Sequence, residues 1–303
     1  MSYDDESSGA AAIIDYAKAH VQPVFKSFGE TDGEGGDLHF VLVPKGFDLK
    51  DLTEKFDERL DRPRRATGTA RLQTAESFVA HCKRHSDAHS VLFASGESSL
   101  RMQAVYDYHE AAGDDAKPRH CKHRAIYKFP VSLEMQAWMG NNGERMSQET
   151  FAEFLEDRLL DVLDPSQASE PDKGAAAQLQ LELATPSKLL TLSRGLSITV
   201  ENEIHDHTSL ASGSGQLVFK ERHKDSAGQP LSVPGAFLLG IPVFDGGDRW
   251  TVLARLRYRV AGGKVTWSYH LHKVREVTRE AFHEAAAGIA TSTDLPLFFG
   301  DPE

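Results

Sequence analysis

The sequence predicts an α+β protein built from antiparallel β-sheets with flanking helices. Segments in its second half alternate polar and apolar residues with the two-residue period of half-buried antiparallel strands. These segments are 196–204, 216–223, 249–260 and 264–274. Two glycines between the last two segments predict a hairpin. Residues 147–163 instead repeat apolar side chains with a helical period, which predicts an amphipathic helix.

In the N-terminal part, helical spacing of apolar residues predicts helices over 10–25, 48–60 and 74–85. Asp48 and Thr74 are the expected caps of the second and third helices. Residues 29–37 are rich in glycine and acids and predict a loop, whereas 38–44 predicts a strand that ends at a proline.

The middle of the chain predicts three strands and two helices. The strands are expected over 89–94, 101–109 and 120–130, and the helices over 131–139 and 147–163. Ser147 is the expected cap of the second helix. Its predicted apolar face consists of Phe151, Phe154, Leu155, Leu159 and Val162.

A polar, proline-containing stretch at 164–174 predicts a linker between two subdomains. Helices are expected over 175–185 and 277–290. The organisation predicted along the chain is an acidic helix and loop, an α/β subdomain, the linker, and an antiparallel-sheet subdomain with a closing helix. Their residues are 1–37, 38–163, 164–174 and 175–303.

Composition indicates a globular protein of a reducing cytosol. The 303 residues are 40% hydrophobic and carry a formal net charge of -11, with two cysteines. Two cysteines do not make a disulfide framework, and no apolar run is long enough to cross a bilayer. We therefore expect a cytoplasmic protein without a membrane partner. The excess of acidic over basic residues argues against a protein whose main function is to coat nucleic acid.

Arginine occupies every second position at Arg255, Arg257 and Arg259. In an extended strand these side chains share one face and lie about 6.6 Å apart, which approaches the phosphate spacing of a stretched nucleic-acid strand. The nearby aromatic residues Tyr258 and Trp267 have the opposite parity, so we expect them to face the core rather than stack on bases.

The arginine row is therefore interpreted as a sheet or subunit contact in preference to a nucleic-acid site. Glu201 and Glu203 are candidate partners on a neighbouring strand, and acids in 1–37 and 153–170 are candidate partners on another copy. A second basic segment is expected to contribute. The candidate contact residues are Arg62, Arg64, Arg65, Arg255, Arg257 and Arg259.

Histidine pairs provide weaker candidates for a metal site. Two i, i+2 pairs could converge on one ion, and they comprise His205, His207, His270 and His272. His109, His120, Cys121 and His123 form a second group. Neither group matches a known metal-ligand template. We therefore interpret these histidines as residues of polar strand faces and expect no cofactor.

Catalytic motifs give no stronger signal. The sequence has no phosphate-binding loop and no nucleophile elbow. Cys82 is predicted to be a core residue, whereas Cys121 has basic neighbours. We therefore predict no catalytic residues.

Six separated segments resemble, in the same order, the YfdQ-like family of uncharacterised bacteriophage and prophage proteins. They are "VPKGFDLKDL", "RPRRATGTARLQTAESFVAH", "HRAIYKFP", Trp138 with "SQETFAEFLED", "VPGAFLLGIPVF" and "ARLRYRV". The resemblance extends from about residue 38 to the "LPLFFG" near the C-terminus. It implies a phage-encoded protein of the bacterial cytosol, often found among recombination and early-function genes, and it supplies no catalytic residues.

Three functions follow as hypotheses. The first is a non-catalytic protein that self-assembles into a homo-oligomer, as a ring or a closed shell. The second is a nucleic-acid-binding accessory factor in phage recombination or replication, and the third is a metal-dependent enzyme that uses the strand histidine pairs.

Overall fold

The fold can be followed through most of the chain in a computed structural model. The structure describes residue 15 and residues 24–28, 38–42, 50–51, 59–63, 65–96, 99–111, 116–195, 233–261 and 264–302. The chain divides into two units, Met1–Gly68 and Thr69–Glu303. Helices and two mostly antiparallel sheets form the second unit, which confirms the predicted α+β class.

The first unit contains a small antiparallel sheet of three strands in the order β1-β2-β3. The strands are β1 (Val24–Phe28), β2 (Leu38–Leu42) and β3 (Lys50–Asp51). The helix predicted over 48–60 is wrong at its start, because Lys50 and Asp51 pair with Val41 and Phe40 of β2. Backbone pairing with an apolar strand outweighs the local helical period there.

From residue 68 onward, the described residues form ten strands and six α-helices. The strands are β4 (Gly68–Leu72), β5 (Val91–Ser95), β6 (Arg101–Val105), β7 (His123–Lys128), β8 (Met146–Ser147), β9 (Val162–Leu163), β10 (Ala236–Pro242), β11 (Arg249–Ala261), β12 (Lys264–Leu271) and β13 (Leu297–Phe299). The helices are α1 (Ala75–His85), α2 (Leu133–Gly140), α3 (Gln148–Asp157), α4 (Glu170–Gln178), α5 (Pro186–Gly195) and α6 (Val274–Thr293).

Two five-stranded sheets organise this unit. The first has the order β13-β5-β6-β7-β4, with β13 parallel to β5. The second has the order β8-β12-β11-β10-β9, and its pairings are antiparallel. Because β8 and β9 precede the 164–174 segment and the other three strands follow it, the second sheet joins both predicted halves.

Helix starts agree with the predicted caps. The Thr74 hydroxyl accepts a hydrogen bond from the Ser77 backbone amide at 3.2 Å, and the Ser147 hydroxyl accepts one from Thr150 at 3.1 Å. The helix predicted over 147–163 is shorter than expected, however. α3 ends at Asp157, a 3-10 turn follows, and residues 162–163 form β9 against β10 instead.

The main core contains residues from both sides of the 164–174 segment. Trp138 and Leu155 pack in one buried cluster with Phe237, Trp267 and Tyr269, and all five side chains are almost completely buried. The segment itself contains a 3-10 turn and the start of α4. The predicted subdivision at residues 37, 163 and 174 stays a prediction.

The closing helix is longer than predicted, since α6 covers Val274–Thr293 rather than 277–290. Among the helices in the described ranges, none combines the length and the apolar character needed to cross a membrane. The strands predicted over 196–204 and 216–223 lie outside the described residues.

Candidate interaction surfaces

The arginine row lies on β11 in register with a polar strand. Arg257 and Arg259 are exposed and Arg255 is half-buried. Their antiparallel partners on β12 are Ser268, Thr266 and His270, respectively. The alternation predicted from the sequence holds for Leu256, Trp267 and Tyr269, which point to the other side and are buried, whereas Tyr258 is only half-buried.

A basic groove forms where this row meets the loop after α2. Its volume is about 380 Å³, and its charged residues are Arg145, Arg257 and Arg259. His270, Thr266, Ser268 and Tyr258 also line it, and no carboxylate lines it among the residues that the structure describes. We refer to this groove as the arginine groove.

Close approach of the loop to β12 places Arg145 in the arginine groove. The Gly143 amide donates a hydrogen bond to the Tyr269 carbonyl at 2.8 Å. Gly143 has a φ of +87°, and a Cβ there would lie 3.4 Å from the His270 ring. A glycine suits the left-handed backbone at this position.

Positive charge dominates the electrostatics of the groove. Burial lowers the pKa of His270, and the neighbouring Arg257 and Arg255 lower it further. His270 is therefore a neutral hydrogen-bonding group near pH 7, and an anion bound to the arginines would favour its protonation. In the described part of the chain, no ion pair involves Arg145, Arg257 or Arg259.

An acidic surface of the same unit lies on α3. The side chains of Glu149, Glu153 and Asp157 are exposed. Asp161 differs from the acids expected at a surface, because it is buried and its carboxylate accepts a hydrogen bond from the Trp138 indole at 2.8 Å. We refer to Glu149, Glu153 and Asp157 as the acidic face.

The remaining predicted contact residues lie elsewhere. Arg62 and Arg65 are exposed and belong to the first unit, whereas Arg64, Glu201 and Glu203 lie outside the described residues. A common groove formed by Arg62, Arg64, Arg65 and the arginine row stays a prediction.

The predicted histidine pairs can be traced only in part. His205 and His207 lie outside the described residues, His270 lines the arginine groove, and His272 follows the end of β12. Within the described ranges, no group of three or more histidine, cysteine or acidic side chains is placed to hold a metal ion.

The second predicted group divides between two places. Cys121 Sγ lies 3.6 Å from His109 Nε2, whereas His123 packs against His85 and Tyr106 with ring centroids 5.3 and 4.8 Å away. The Arg119 backbone amide donates to His109 Nδ1 at 3.0 Å. In the neutral ring Nε2 therefore carries the proton, so it is unsuited to accept one from Cys121 or to bind a metal.

Sequence reasoning missed a histidine cluster at the end of α1. His81 and His85 are one helical turn apart, with ring centroids separated by 4.5 Å, and His81 Nδ1 lies 2.7 Å from the Tyr106 hydroxyl. Burial lowers the pKa of His81, and the nearby His85 and His123 add to the effect. The i, i+4 spacing of His81 and His85 was a signal available in the sequence. Only the fold shows that β7, which carries His123, lies beside these two histidines.

One comparison with known proteins identifies a family. The model of a family described as "Uncharacterized conserved protein (DUF2303)" matches residues 9–302. No curated protein and no solved structure matches the chain. Because the match spans nearly the whole length, the chain belongs to the DUF2303 family of uncharacterized conserved proteins.

Proposed function

We propose that this protein is a non-catalytic component that self-assembles into a homo-oligomer through its arginine groove. The observation that carries the proposal is the groove itself, in which three arginines meet without a lining carboxylate among the described residues. Guanidinium groups form their strongest contacts with carboxylates or phosphates. The partner that we assign is the acidic face of α3 on a second copy.

Contact between these two different surfaces gives a head-to-tail assembly. The arginine groove lies on β11 and β12, whereas the acidic face consists of exposed side chains of α3. Contacts between two different surfaces of identical copies generate a ring when the rotation closes and a filament when it does not. A ring or a closed shell is the form that we propose.

A non-catalytic role is supported by the contact between Cys121 and His109. Because the Arg119 amide fixes the proton on His109 Nε2, the imidazole is not oriented as a general base toward the thiol. The resemblance to the YfdQ-like phage and prophage proteins supports a proposed setting in the cytosol of a bacterial host.

The test is the mass of the assembly as a function of charge and salt. Light scattering should give multiples of 33.4 kDa at low salt and smaller species at about 1 M NaCl, where screening shortens charge interactions to roughly 3 Å. The variant Arg257→Glu/Arg259→Glu should be monomeric at low salt. Arg249→Glu, at the other end of β11, is the matched control and should assemble normally.

A charge-swap experiment separates the proposed pairing from a general charge effect. Glu153→Arg/Asp157→Arg should also be monomeric alone and should assemble when mixed with Arg257→Glu/Arg259→Glu. A wild-type monomer of 33.4 kDa at micromolar concentration would overturn the proposal. Assembly that survives both double substitutions would overturn the assignment of the two surfaces.

A further inference from the structure

A second cavity lies beside the first sheet, away from the β11–β12 pair that forms the arginine groove. Its volume is about 590 Å³, and it combines aromatic side chains with basic ones. Phe93 and Tyr108 provide the aromatic part, and Lys122 and Arg124 provide basic groups. We refer to it as the aromatic–basic cavity.

The aromatic part continues across the sheet as a row of rings. Phe298 on β13 is in parallel register with Phe93 on β5, so both side chains lie on one face, with ring centroids 5.7 Å apart. The Phe93 and Tyr108 rings are 5.4 Å apart, and the Tyr108 and His109 rings are 5.3 Å apart. Phe298 is 49% exposed, so the end of this row is open to a further flat ring.

Acidic groups at the cavity are already engaged within the protein. The Asp87 carboxylate receives two hydrogen bonds from Arg119, at 3.1 and 2.7 Å. Asp301 accepts hydrogen bonds from Arg101 at 2.7 Å and from the Ser95 hydroxyl at 3.0 Å. These carboxylates are therefore paired with Arg119 and Arg101, and the cavity has other basic groups besides these.

Those other groups lie on the turn that leads into β7. The Asp107 carboxylate accepts hydrogen bonds from the Lys122 and His123 backbone amides, both at 2.9 Å, and so fixes this turn. The side chain of Lys122 is exposed at the cavity, together with His120. Arg124 Nε donates to the Cys121 carbonyl, which places its guanidinium in the same lining.

From this arrangement we propose that the aromatic–basic cavity binds a nucleotide unit. The base stacks on the exposed Phe298 at the open end of the row, and the phosphate contacts Lys122 and Arg124. Stacking rings and cations on one surface are what recognition of single-stranded nucleic acid requires. Among the described residues that line it, the arginine groove has a single aromatic ring, that of the half-buried Tyr258, because Trp267 and Tyr269 are buried.

The shared chemistry of base and phosphate fits either a free nucleotide or a unit of a single strand. The site stands on residues separate from the arginine groove and the acidic face. A negative binding result would therefore leave the proposed self-assembly intact. A monomeric protein would likewise leave the proposed nucleotide site intact.

Fluorescence anisotropy tests the site with a fluorescein-labelled oligothymidine of about ten nucleotides. We expect binding at about 50 mM NaCl that weakens as salt increases. Phe298→Ala should weaken binding roughly tenfold, whereas Phe298→Tyr should retain it. Lys122→Gln should reduce the slope of log affinity against log salt by about 0.7, as expected for one phosphate contact on a single strand.

Two matched variants serve as controls. Leu133→Ala removes another exposed apolar side chain, 75% exposed, and should not change binding. Arg257→Ala/Arg259→Ala should also bind normally. The site is overturned if the wild-type protein does not bind the probe, or if Phe298→Ala and Lys122→Gln bind as the wild type does.

Competition with AMP identifies the source of the ligand. Displacement of the probe by AMP at concentrations similar to those of unlabelled strand supports the site and assigns a free nucleotide. Displacement by unlabelled strand but not by millimolar AMP supports the site and assigns a single-stranded nucleic acid. Loss of binding only in the Arg257→Ala/Arg259→Ala variant would overturn the site.

Discussion

Replacement of Trp138 by phenylalanine tests whether the two sides of the 164–174 segment unfold together. Trp138 precedes this segment, whereas its neighbours Phe237 and Tyr269 follow it, with ring centroids 5.7 and 5.2 Å away. The indole also donates to the buried Asp161 carboxylate at 2.8 Å. The substitution removes that donor and reduces packing at the centre of the core.

The expected loss in the free energy of unfolding is about 3 kcal/mol. A hydrogen bond to a charged acceptor contributes about 1.5–3 kcal/mol, and an edge-to-face aromatic pair adds about 0.5–1.5 kcal/mol. Phenylalanine keeps part of the aromatic packing but leaves Asp161 without this donor. Domains have only about 5–15 kcal/mol of stability, so the change would be easily measured.

Urea unfolding, followed by far-UV circular dichroism and by fluorescence of the remaining tryptophans, measures this change. Trp138→Phe should shift one common transition to lower urea. Asp161→Asn keeps an oxygen acceptor and should cost about 1 kcal/mol, and Leu160→Ala, at a side chain 90% exposed, should cost less than about 0.5 kcal/mol. Two separate transitions, or a loss below about 1 kcal/mol for Trp138→Phe, would refute the reasoning.

Further predictions concern thiol reactivity, pH and packing. Burial raises the pKa of Cys82 to about 11, whereas Cys121 is partly exposed, so Ellman's reagent at about pH 8 should titrate one thiol in the native protein and two in urea. Cys121→Ser should abolish the native reaction, and a persisting reaction would contradict the assignment. Burial lowers the pKa of the half-buried His81, so the unfolded state binds its proton more readily, and stability should fall as the pH drops below about 6.5. His81→Gln should flatten that fall, and an unchanged profile in urea titrations would show that other groups cause it. A Cβ at Gly240 would lie 2.6 Å from Leu163 Cγ, so Gly240→Ala should cost about 1–3 kcal/mol in urea unfolding. The cost should be smaller in a Leu163→Ala background, and an equal cost would contradict the contact.

Several local features were predictable because they depend on neighbours in sequence. Thr74 and Ser147 cap their helices as expected, since a hydroxyl at this position reaches an amide three residues ahead. The burial of Cys82 with Phe78 followed from their shared helix face. The same local reasoning predicted one helix over 147–163 and missed β9, whose two residues are held by strand β10 about 75 residues later.

The candidate surfaces were only partly predictable. The sequence identified Arg255, Arg257 and Arg259 as one face, but it did not indicate that Arg145 joins them, because Arg145 lies more than a hundred residues earlier. The sequence also did not indicate the row of rings around Phe93 and Phe298. These two residues lie on paired strands that come from distant parts of the chain.

Sequence alone therefore determined which side chains share a strand or helix face, since the periods of two and 3.6 residues are properties of the backbone. It also determined the α+β class, because those periods differ between segments. Tertiary structure decided which faces meet: Arg145 with the arginine row, His123 with His81 and His85, and Trp138 with Tyr269. The physical reason is that buried side chains and paired strands find partners that are distant in sequence. The identity of those partners produces no periodic pattern in the local sequence.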